Sequence, residues 1–344
     1  MSKGVKRSWN LTRHLLGIEK AAVGQAPRDV GWSSGKSVLY RYRSTTEDVT
    51  AVREPILLVM SLVSRAFILD LQPGNSFVEH LRDEGFDVFL LDWGVPDEEE
   101  ANHDLSTYSD VLIPAAIAEV NRMTGENGVH VFGYCFGGLL SLLYAAGHPD
   151  DPINSLVVMA TPIDFTQMPK AMSGVGVGGI KPENILDSSG NVPAATIRAG
   201  FSMLTPTSDL STVADFGEHL DDDKFLSSYQ AMTQWTRNHI PFPGAAMKQT
   251  TEVFGDGNGF VNEDIMIGGR QLHLSDIKVP FLNVIAERDH IVPPASTRGL
   301  IDLIDSDDKA EVELPAGHVG LIVGNGGRKR CMPSMSGWNK SKSS

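Results

Sequence analysis

Cysteine is scarce in this chain of 344 residues, which contains only Cys135 and Cys331. Two cysteines are too few for the disulfide framework of a secreted domain, so the composition favours a reducing cytoplasm. Long apolar runs are also missing, since the longest, such as residues 56–60, are far shorter than the roughly 20 residues of a membrane-spanning helix. The apolar stretch at 11–18 is interrupted by Arg13 and His14. Neither a transmembrane segment nor a signal peptide is therefore predicted.

Positive charge is in deficit as well. The chain has 29 lysines and arginines but 43 aspartates and glutamates, for a formal net charge of -14. This balance argues against a nucleic-acid binder and tolerates an acidic ligand only where basic side chains cluster. With 41% hydrophobic and 21% charged residues, the composition is that of a globular protein with one large core, with room for an inserted subdomain.

Residues 133–137 read Gly-Tyr-Cys-Phe-Gly, a nucleophile-elbow pattern with cysteine where serine is usual. An apolar run at 129–132 predicts a strand before it, and residues 138–146 predict a buried helix after it. A nucleophile on such a sharp turn is presented to a cleft, and the flanking glycines let the strand and the helix pass closely. The pattern predicts Cys135 as the nucleophile; taken alone, a cysteine between glycines is more often a packing residue.

Apolar runs alternate with amphipathic stretches along most of the chain. Strands are predicted at 37–42, 55–60, 86–92, 129–132, 155–160, 279–286 and 310–314, and helices at 75–84, 105–122, 138–146 and 295–304. This alternation indicates an α/β fold with a doubly wound, mostly parallel sheet. The predicted parts are an N-terminal extension (1–35), a core in two pieces (36–162 and 271–338), an inserted cap or lid (163–270) and a frayed tail (339–344).

A cysteine nucleophile needs a base, because a free thiol with a pKa of about 8.5 is mostly protonated at neutral pH. On this kind of fold the acid and the histidine follow the nucleophile in that order. Asp289 follows the predicted strand at 279–286, and His318 follows the last strand in a glycine-bearing loop. These two residues complete the predicted triad, while His290 is the competing histidine, although a surface turn residue is the favoured interpretation for it.

The oxyanion hole is predicted to use two backbone N–H groups. One belongs to Phe136, directly after the nucleophile, and the other to Leu62 or Val63 in the loop after the strand at 55–60.

Two other stretches resemble binding motifs but lack the neighbouring strand, helix or fold that such motifs require. The glycine cluster at 174–179 favours a mobile loop over a phosphate site, and the basic residues at 328–330 favour a solvated tail.

Several motifs in a fixed order resemble the polyhydroxyalkanoate (poly-3-hydroxybutyrate) synthases, and the chain looks most like their class III catalytic subunit. The resemblance covers about residues 36–338. The stretches that carry it are 67–76 (Phe-Ile-Leu-Asp-Leu-Gln-Pro-Gly-Asn-Ser), 88–96, 133–137, 160–165, 289–293 and 317–320. It implies the α/β-hydrolase fold with a cap. Where this family usually has two prolines and an asparagine, the chain has Met60, Ser61 and Ser64, so a differently shaped oxyanion-side loop is expected.

The resemblance also implies an activity. Cys135 would take a 3-hydroxyacyl group from a CoA thioester, with His318 as general base and Asp289 assisting activation of the incoming 3-hydroxyl. The product would be a polyester, with CoA released as part of the substrate rather than held as a cofactor, and no metal is implied. The expected partners are a second copy of the chain or an accessory synthase subunit, at the surface of cytoplasmic polyester granules.

Two other functions stay open at the level of sequence. The same triad would cleave esters or thioesters if water replaced the hydroxyl acceptor, as in an intracellular polyhydroxyalkanoate depolymerase or a thioesterase. A catalytically idle protein of the granule surface is the third hypothesis, and the intact triad argues against it.

Overall fold

The computed structural model describes residues 8, 9, 12, 21–43, 54–169, 181–204 and 220–323. Their strands are β1 (Arg28–Ser34), β2 (Ser37–Tyr42), β3 (Pro55–Val59), β4 (Asp87–Asp92), β5 (Val129–Tyr134), β6 (Ile153–Met159), β7 (Asn191–Val192), β8 (Phe242–Pro243), β9 (Ile265–Ile267), β10 (Arg270–Leu272), β11 (Phe281–Ala286) and β12 (Lys309–Leu314). Their α-helices are α1 (Phe77–Asp83), α2 (Ile113–Thr124), α3 (Phe136–Gly147), α4 (Ala194–Leu204), α5 (Asp223–Arg237), α6 (Gly244–Thr250), α7 (Pro294–Thr297), α8 (Leu300–Leu303) and α9 (Gly320–Val323).

Eight of these strands form one sheet in the order β1-β2-β4-β3-β5-β6-β11-β12. β1 and β2 are antiparallel to their neighbours, and the other six strands are parallel. The predicted α/β fold with a doubly wound, mostly parallel sheet is confirmed. In such a sheet, ligands bind outside the carboxyl ends of the strands. The register places Val59 beside Gly133 and Tyr134 beside Met159, so the chain leaves β3, β5 and β6 at one common edge.

The core covers both faces of the sheet. In β3 every residue is buried, and successive side chains alternate between two apolar clusters. Leu57 and Val59 belong to the cluster that contains the buried side of α3, whereas Ile56 and Leu58 belong to the cluster on the other face. Burial on both faces explains why these strands appear in the sequence as continuous apolar runs.

The sheet begins before residue 36, so the predicted boundary of the core is wrong at its start. β1 lies within the predicted N-terminal extension and pairs antiparallel with β2. Its side chains are all partly or fully exposed, and a register shift between Val30 and Trp32 interrupts the pairing. An exposed edge strand with a bulge shows no two-residue apolar alternation, which is why the sequence pattern does not reveal it.

Two predicted helices differ from single α-helices. The stretch predicted at 105–122 begins with a π-helical segment, Thr107–Leu112, and becomes α2 at Ile113. Pro114, near the start of α2, has no backbone N–H, so it cannot donate an α-helical hydrogen bond to the preceding turn. The helix predicted at 295–304 is divided into α7 and α8, because Gly299 adopts φ +92° between them.

The stretch predicted as an inserted segment (163–270) contains α4, α5, α6, the short pair β7–β8 and β9, and it ends at the first residue of β10, the strand that pairs with β9. The sequence shows no clear period at 235–244, where the structure has the end of α5 and then β8. α5 begins at an N-cap, Asp222, whose carboxylate accepts the N–H groups of Lys224 and Phe225. The glycine cluster at 174–179, the basic residues at 328–330, Cys331 and the tail at 339–344 lie outside the described residues.

α5 is attached to the core by side-chain hydrogen bonds. The indole Nε1 of Trp235 donates to the carbonyl oxygen of Arg65 at 3.0 Å, and Gln72 Nε2 donates to Ser228 Oγ at 2.6 Å. The inserted segment therefore contacts the loop that follows β3. None of the helices in the described ranges combines the length and apolar character needed to cross a bilayer.

Candidate active site

Cys135 lies between β5 and α3 and has φ 55° and ψ -121°. A positive φ is uncommon for a residue with a Cβ, and such strained backbone clusters at active sites, where the surrounding structure holds it. The Cys135 N–H donates to the carbonyl oxygen of Met159 at 2.9 Å, which continues the pairing of β5 with β6. The residue is 9% exposed, so its thiol is almost enclosed by the protein.

The glycines of the elbow are required by close backbone contacts. A Cβ on Gly133 would lie 2.5 Å from the Cα of Gly138, and one on Gly137 would lie 2.1 Å from the carbonyl oxygen of Val59. Both distances are far below van der Waals contact. The first glycine lets α3 pass over the end of β5, and the second brings the start of α3 against the end of β3.

The structure brings Asp289 and His318 together. Asp289 follows β11, His318 follows β12, and His318 Nδ1 lies 2.7 Å from Asp289 Oδ2. The other carboxylate oxygen of Asp289 accepts the N–H groups of Ile291 and Val292, each at 2.8 Å. Both side chains are buried. The carboxylate is therefore fixed on both oxygens and orients the imidazole through Nδ1.

The ionisation of His318 depends on Asp289 and Cys135. Burial alone lowers the pKa of the imidazole, but the negative charges of Asp289 and Cys135, and hydrogen bonding to both, raise that pKa to about 10. A neighbouring anion favours the charged form of histidine. With this pKa the imidazole is protonated at neutral pH, so His318 can act as a proton donor beside the Cys135 sulfur.

The predicted oxyanion groups lie around the same edge of the sheet. Phe136 is the first residue of α3, where the N–H groups of a helix have no partner inside the helix. The Val63 N–H lies 3.5 Å from Ser61 Oγ, and Leu62, in the same turn, is 2% exposed. The contact between Gly137 and the end of β3 places this turn beside the start of α3. The two predicted sources of N–H groups are therefore neighbours, and their role stays a prediction.

The competing histidine, His290, is exposed, although its neighbour Asp289 is buried. Within the described ranges, no group of three or more histidine, cysteine, aspartate or glutamate side chains has the arrangement of a metal site. The groups that the structure gathers at the carboxyl ends of the strands are thus a thiol, an imidazole and a carboxylate. Such a set is suited to acyl transfer through a covalent intermediate.

Solved structures share this fold. A family model described as alpha/beta hydrolase fold matches residues 30–179. A putative lipase from Sulfolobus solfataricus superimposes with a TM-score of 0.56 at 14% sequence identity, covering 94% of this chain and 99% of that chain. At such low identity the likeness shows the fold and nothing about the reaction.

Sequence relatives are more informative. The poly(3-hydroxyalkanoate) polymerase subunit PhaC of Allochromatium vinosum is 32% identical over 326 residues, which cover 94% of this chain and 91% of that protein. This chain belongs to the poly(3-hydroxyalkanoate) polymerase family. The PhaC subunit of Haloferax mediterranei is 31% identical over 323 residues, which cover 93% of this chain and 65% of that protein. The family resemblance predicted from the motifs is confirmed.

In this poly(3-hydroxyalkanoate) polymerase family member, two aromatic residues support the site without any sequence signal for that role. The buried phenol of Tyr134 donates to the carbonyl oxygen of His318 at 3.3 Å, and the two rings lie 5.1 Å apart. Trp93 Nε1 donates to the carbonyl oxygen of Met60 at 2.7 Å. Tyr134 thereby braces the histidine, and Trp93 braces the start of the oxyanion-side turn.

Proposed function

We propose that this chain is a polyhydroxyalkanoate synthase, an acyltransferase that polymerises 3-hydroxyacyl-CoA thioesters through a covalent Cys135 acyl-enzyme. One observation carries the proposal: a cysteine on a strained elbow interacts with the His318 of a buried His318–Asp289 pair in a chain whose relatives are polymerase subunits. CoA enters as part of the substrate and leaves as a product. No separate cofactor is proposed.

In the first step, the thiolate of Cys135 attacks the thioester carbonyl carbon. The new C–S bond forms as the bond to the CoA sulfur breaks, and the imidazolium of His318 gives its proton to the departing CoA thiolate. The N–H of Phe136, with that of Leu62 or Val63, stabilises the negative charge on the carbonyl oxygen. The products are free CoA thiol, an acyl-enzyme thioester and a neutral His318.

In the second step, neutral His318 accepts the proton of a 3-hydroxyl group. The hydroxyl oxygen attacks the acyl carbon on Cys135, an ester bond forms, and the C–S bond breaks. This restores the thiolate and the imidazolium. Because both oxygens of Asp289 are already hydrogen-bonded, we assign Asp289 to orienting and charging His318, with no direct contact to the hydroxyl.

A thiol nucleophile suits repeated transfer, because an acyl-cysteine is a thioester like the CoA donor and passes its acyl group readily to a hydroxyl. Water must be kept out for this to work. The near-complete burial of Cys135 and the attachment of α5 to the loop after β3 support restricted access of water.

The synthase is proposed to work with an accessory subunit or as a homodimer, at the surface of cytoplasmic polyester granules. The relatives from Allochromatium vinosum and Haloferax mediterranei are each named as a polymerase subunit. That wording supports an assembly of more than one kind of chain, most like the class III arrangement.

The test is to incubate the purified chain with 3-hydroxybutyryl-CoA and to follow released thiol together with the acyl product. We expect CoA release with insoluble polyester, and a 3-hydroxyacyl group on the peptide that contains Cys135 after acid quenching. Cys135→Ala should release no CoA while keeping its circular dichroism spectrum. His290→Gln, a change at an exposed histidine, should remain active as a control for His318→Gln, which should lose about 10²- to 10⁴-fold. CoA release with only soluble 3-hydroxybutyrate would identify a hydrolase instead.

A further inference from the structure

Thr161 belongs to the 160–165 motif that the family resemblance highlights, and the proposed reaction gives it no part. The residue follows β6 and is completely buried. Its hydroxyl donates to the carbonyl oxygen of Cys135 at 3.3 Å and lies 3.4 Å from the carbonyl oxygen of Met159. Met159 in turn accepts the N–H of Cys135 at 2.9 Å. The Cys135 N–H is therefore held by β6, and its carbonyl oxygen accepts from Thr161 as well as from the N–H groups of Gly138 at 2.9 Å and Leu139 at 3.4 Å.

The space around the Thr161 hydroxyl is closed by α3. A Cβ on Gly138 would lie 1.9 Å from Thr161 Oγ1, so only a glycine allows the helix to approach this side chain. Ala160, just before Thr161, has φ 50°, and its N–H donates to the carbonyl oxygen of Val284 in β11 at 2.9 Å. The turn after β6 therefore contains a non-glycine residue with a positive φ, as the elbow does, and the two turns lie against each other.

A second threonine extends the contact toward Asp289. Thr297, at the end of α7, is 1% exposed, and its hydroxyl donates to the carbonyl oxygen of Thr161 at 2.9 Å. Nearby, the N–H groups of Ile163 and Asp164 both donate to the carbonyl oxygen of Ser296 at 2.9 Å. α7 follows directly after the segment whose N–H groups hold Asp289. Two buried hydrogen bonds therefore connect the nucleophile turn to α7, and the chain from Val292 to α7 continues the connection to the acid loop.

We propose that Thr161 and Thr297 are positioning residues that hold Cys135 in its strained conformation and fix the elbow against the loop of Asp289. The hydroxyl of Thr161 acts through the Cys135 backbone, and Thr297 acts through Thr161. A strained residue persists only where its surroundings determine its conformation, and the two threonine hydroxyls contribute to this beside the Met159 carbonyl and the N–H groups of Gly138 and Leu139. This role rests on the proposed function, because it assigns to the two threonines the alignment of Cys135 with His318.

The first test compares Thr161→Val, which removes the hydroxyl at nearly constant shape, with Thr161→Ser, which keeps it. Two readouts are measured: kcat and KM for CoA release from 3-hydroxybutyryl-CoA, and the rate of Cys135 alkylation by iodoacetamide between pH 5 and pH 10. Peptide mass spectrometry separates Cys135 from Cys331. Because displacements of about 1 Å can cost about 100-fold in rate, we expect Thr161→Val to lower kcat by about 10- to 100-fold with KM changed less than about threefold. The pH dependence of its Cys135 alkylation rate should differ from that of the unchanged chain. In Thr161→Ser, kcat and the alkylation rate should both stay within about threefold of their values in the unchanged chain.

Thr297→Val is the second variant, and it keeps the proposal testable if Thr161→Val does not fold. We expect it to lower kcat by up to about tenfold, and the double variant to lose less than the product of the two single losses, because residues in one hydrogen-bonded network are not additive. Equal losses in Thr161→Val and Thr161→Ser would overturn the proposal, since they would indicate packing alone. Unchanged kcat and alkylation in both valine variants would also overturn it. If the chain makes no polyester, alkylation still decides the matter, because it reports on the Cys135 thiol without any acyl transfer.

Discussion

At the scale of single residues, the site depends on where one proton resides. Interactions with Asp289 and Cys135 raise the pKa of the buried His318, and together they outweigh the desolvation that lowers it. The raised pKa of about 10 keeps the imidazole protonated at neutral pH, so in the proposed reaction it holds a proton for the departing CoA sulfur. Once that proton is lost, the same ring becomes the base for the incoming hydroxyl. The proposed reaction thus gives one residue a part in both half-reactions.

This arrangement predicts how the pKa of His318 responds to loss of the thiol. Cys135→Ala removes one of the two side chains that raise the pKa of His318, so that pKa should fall measurably below its value in the unchanged chain. The measurement is an NMR titration of the histidine Cε1–H signals, with His318→Gln to assign the resonance. An identical pKa in both proteins would show that Cys135 carries no charge that His318 senses.

The raised pKa of His318 also predicts how the free energy of unfolding changes with pH. The folded value lies above the ordinary value of 6.5, so the stabilisation from charged His318 is fully present below pH 6.5 and is lost as the pH rises toward about 10. In urea unfolding, the difference in free energy between the unchanged chain and His318→Gln should therefore shrink across that interval.

At the scale of elements, the position of the elbow helix α3 depends on glycines, because they have no side chain where the helix contacts the end of β3. Gly137 lies against the end of β3, where an added Cβ would come within 2.1 Å of the Val59 carbonyl oxygen. Backbone on both sides cannot move without breaking the pairing of β3 with β5. The position is therefore closed to any side chain.

We expect Gly137→Ala to destabilise the chain by about 3 kcal/mol or more, or to prevent folding, because overpacking costs about 1–3 kcal/mol where neighbours can adjust and the neighbours here are backbone atoms of β3 and Met60. The matched control is Gly200→Ala in α4, where no atom lies within 4 Å of the added Cβ. That change should be neutral or stabilising by about 0.5–1 kcal/mol, because alanine favours helices over glycine. Thermal and urea unfolding measure both, and similar effects in the two variants would contradict the close contact.

The elements that sequence predicts best are those buried on both faces. β3, β4 and β11 stand out as apolar runs, and the order of Cys135, Asp289 and His318 along the chain is enough to nominate them. β1 does not stand out, because its exposed edge and bulge remove the periodic signal. The support given by Trp93, Tyr134 and Thr161 is also invisible in sequence, because each contact joins positions far apart in the chain, and only the folded sheet brings them together.

At the scale of the whole molecule, charge opposes substrate capture. The chain has a formal net charge of -14, and CoA thioesters are polyanions. Like charges slow association at low ionic strength, and salt screens this repulsion over a distance of about 8–10 Å.

We therefore expect kcat/KM for 3-hydroxybutyryl-CoA to rise by about twofold or more between roughly 10 and 150 mM salt, as screening lengths shorten. The control is the uncharged N-acetylcysteamine thioester of the same acid, whose kcat/KM should hardly change. A fall with salt for the CoA substrate alone would instead indicate a local basic surface that attracts its phosphates.

The outer strands of the sheet carry features that oppose edge-to-edge pairing between copies of the chain. β1 combines its bulge with the exposed ion pair of Asp29 and Arg43, and β12 at the opposite edge alternates Lys309, Glu311 and Glu313 with smaller apolar residues. Bulges and charges on edge strands block the open-ended addition of further strands. Both edges of the sheet therefore oppose the addition of strands from other copies of the chain, which protects this family member from forming extended β-sheet aggregates.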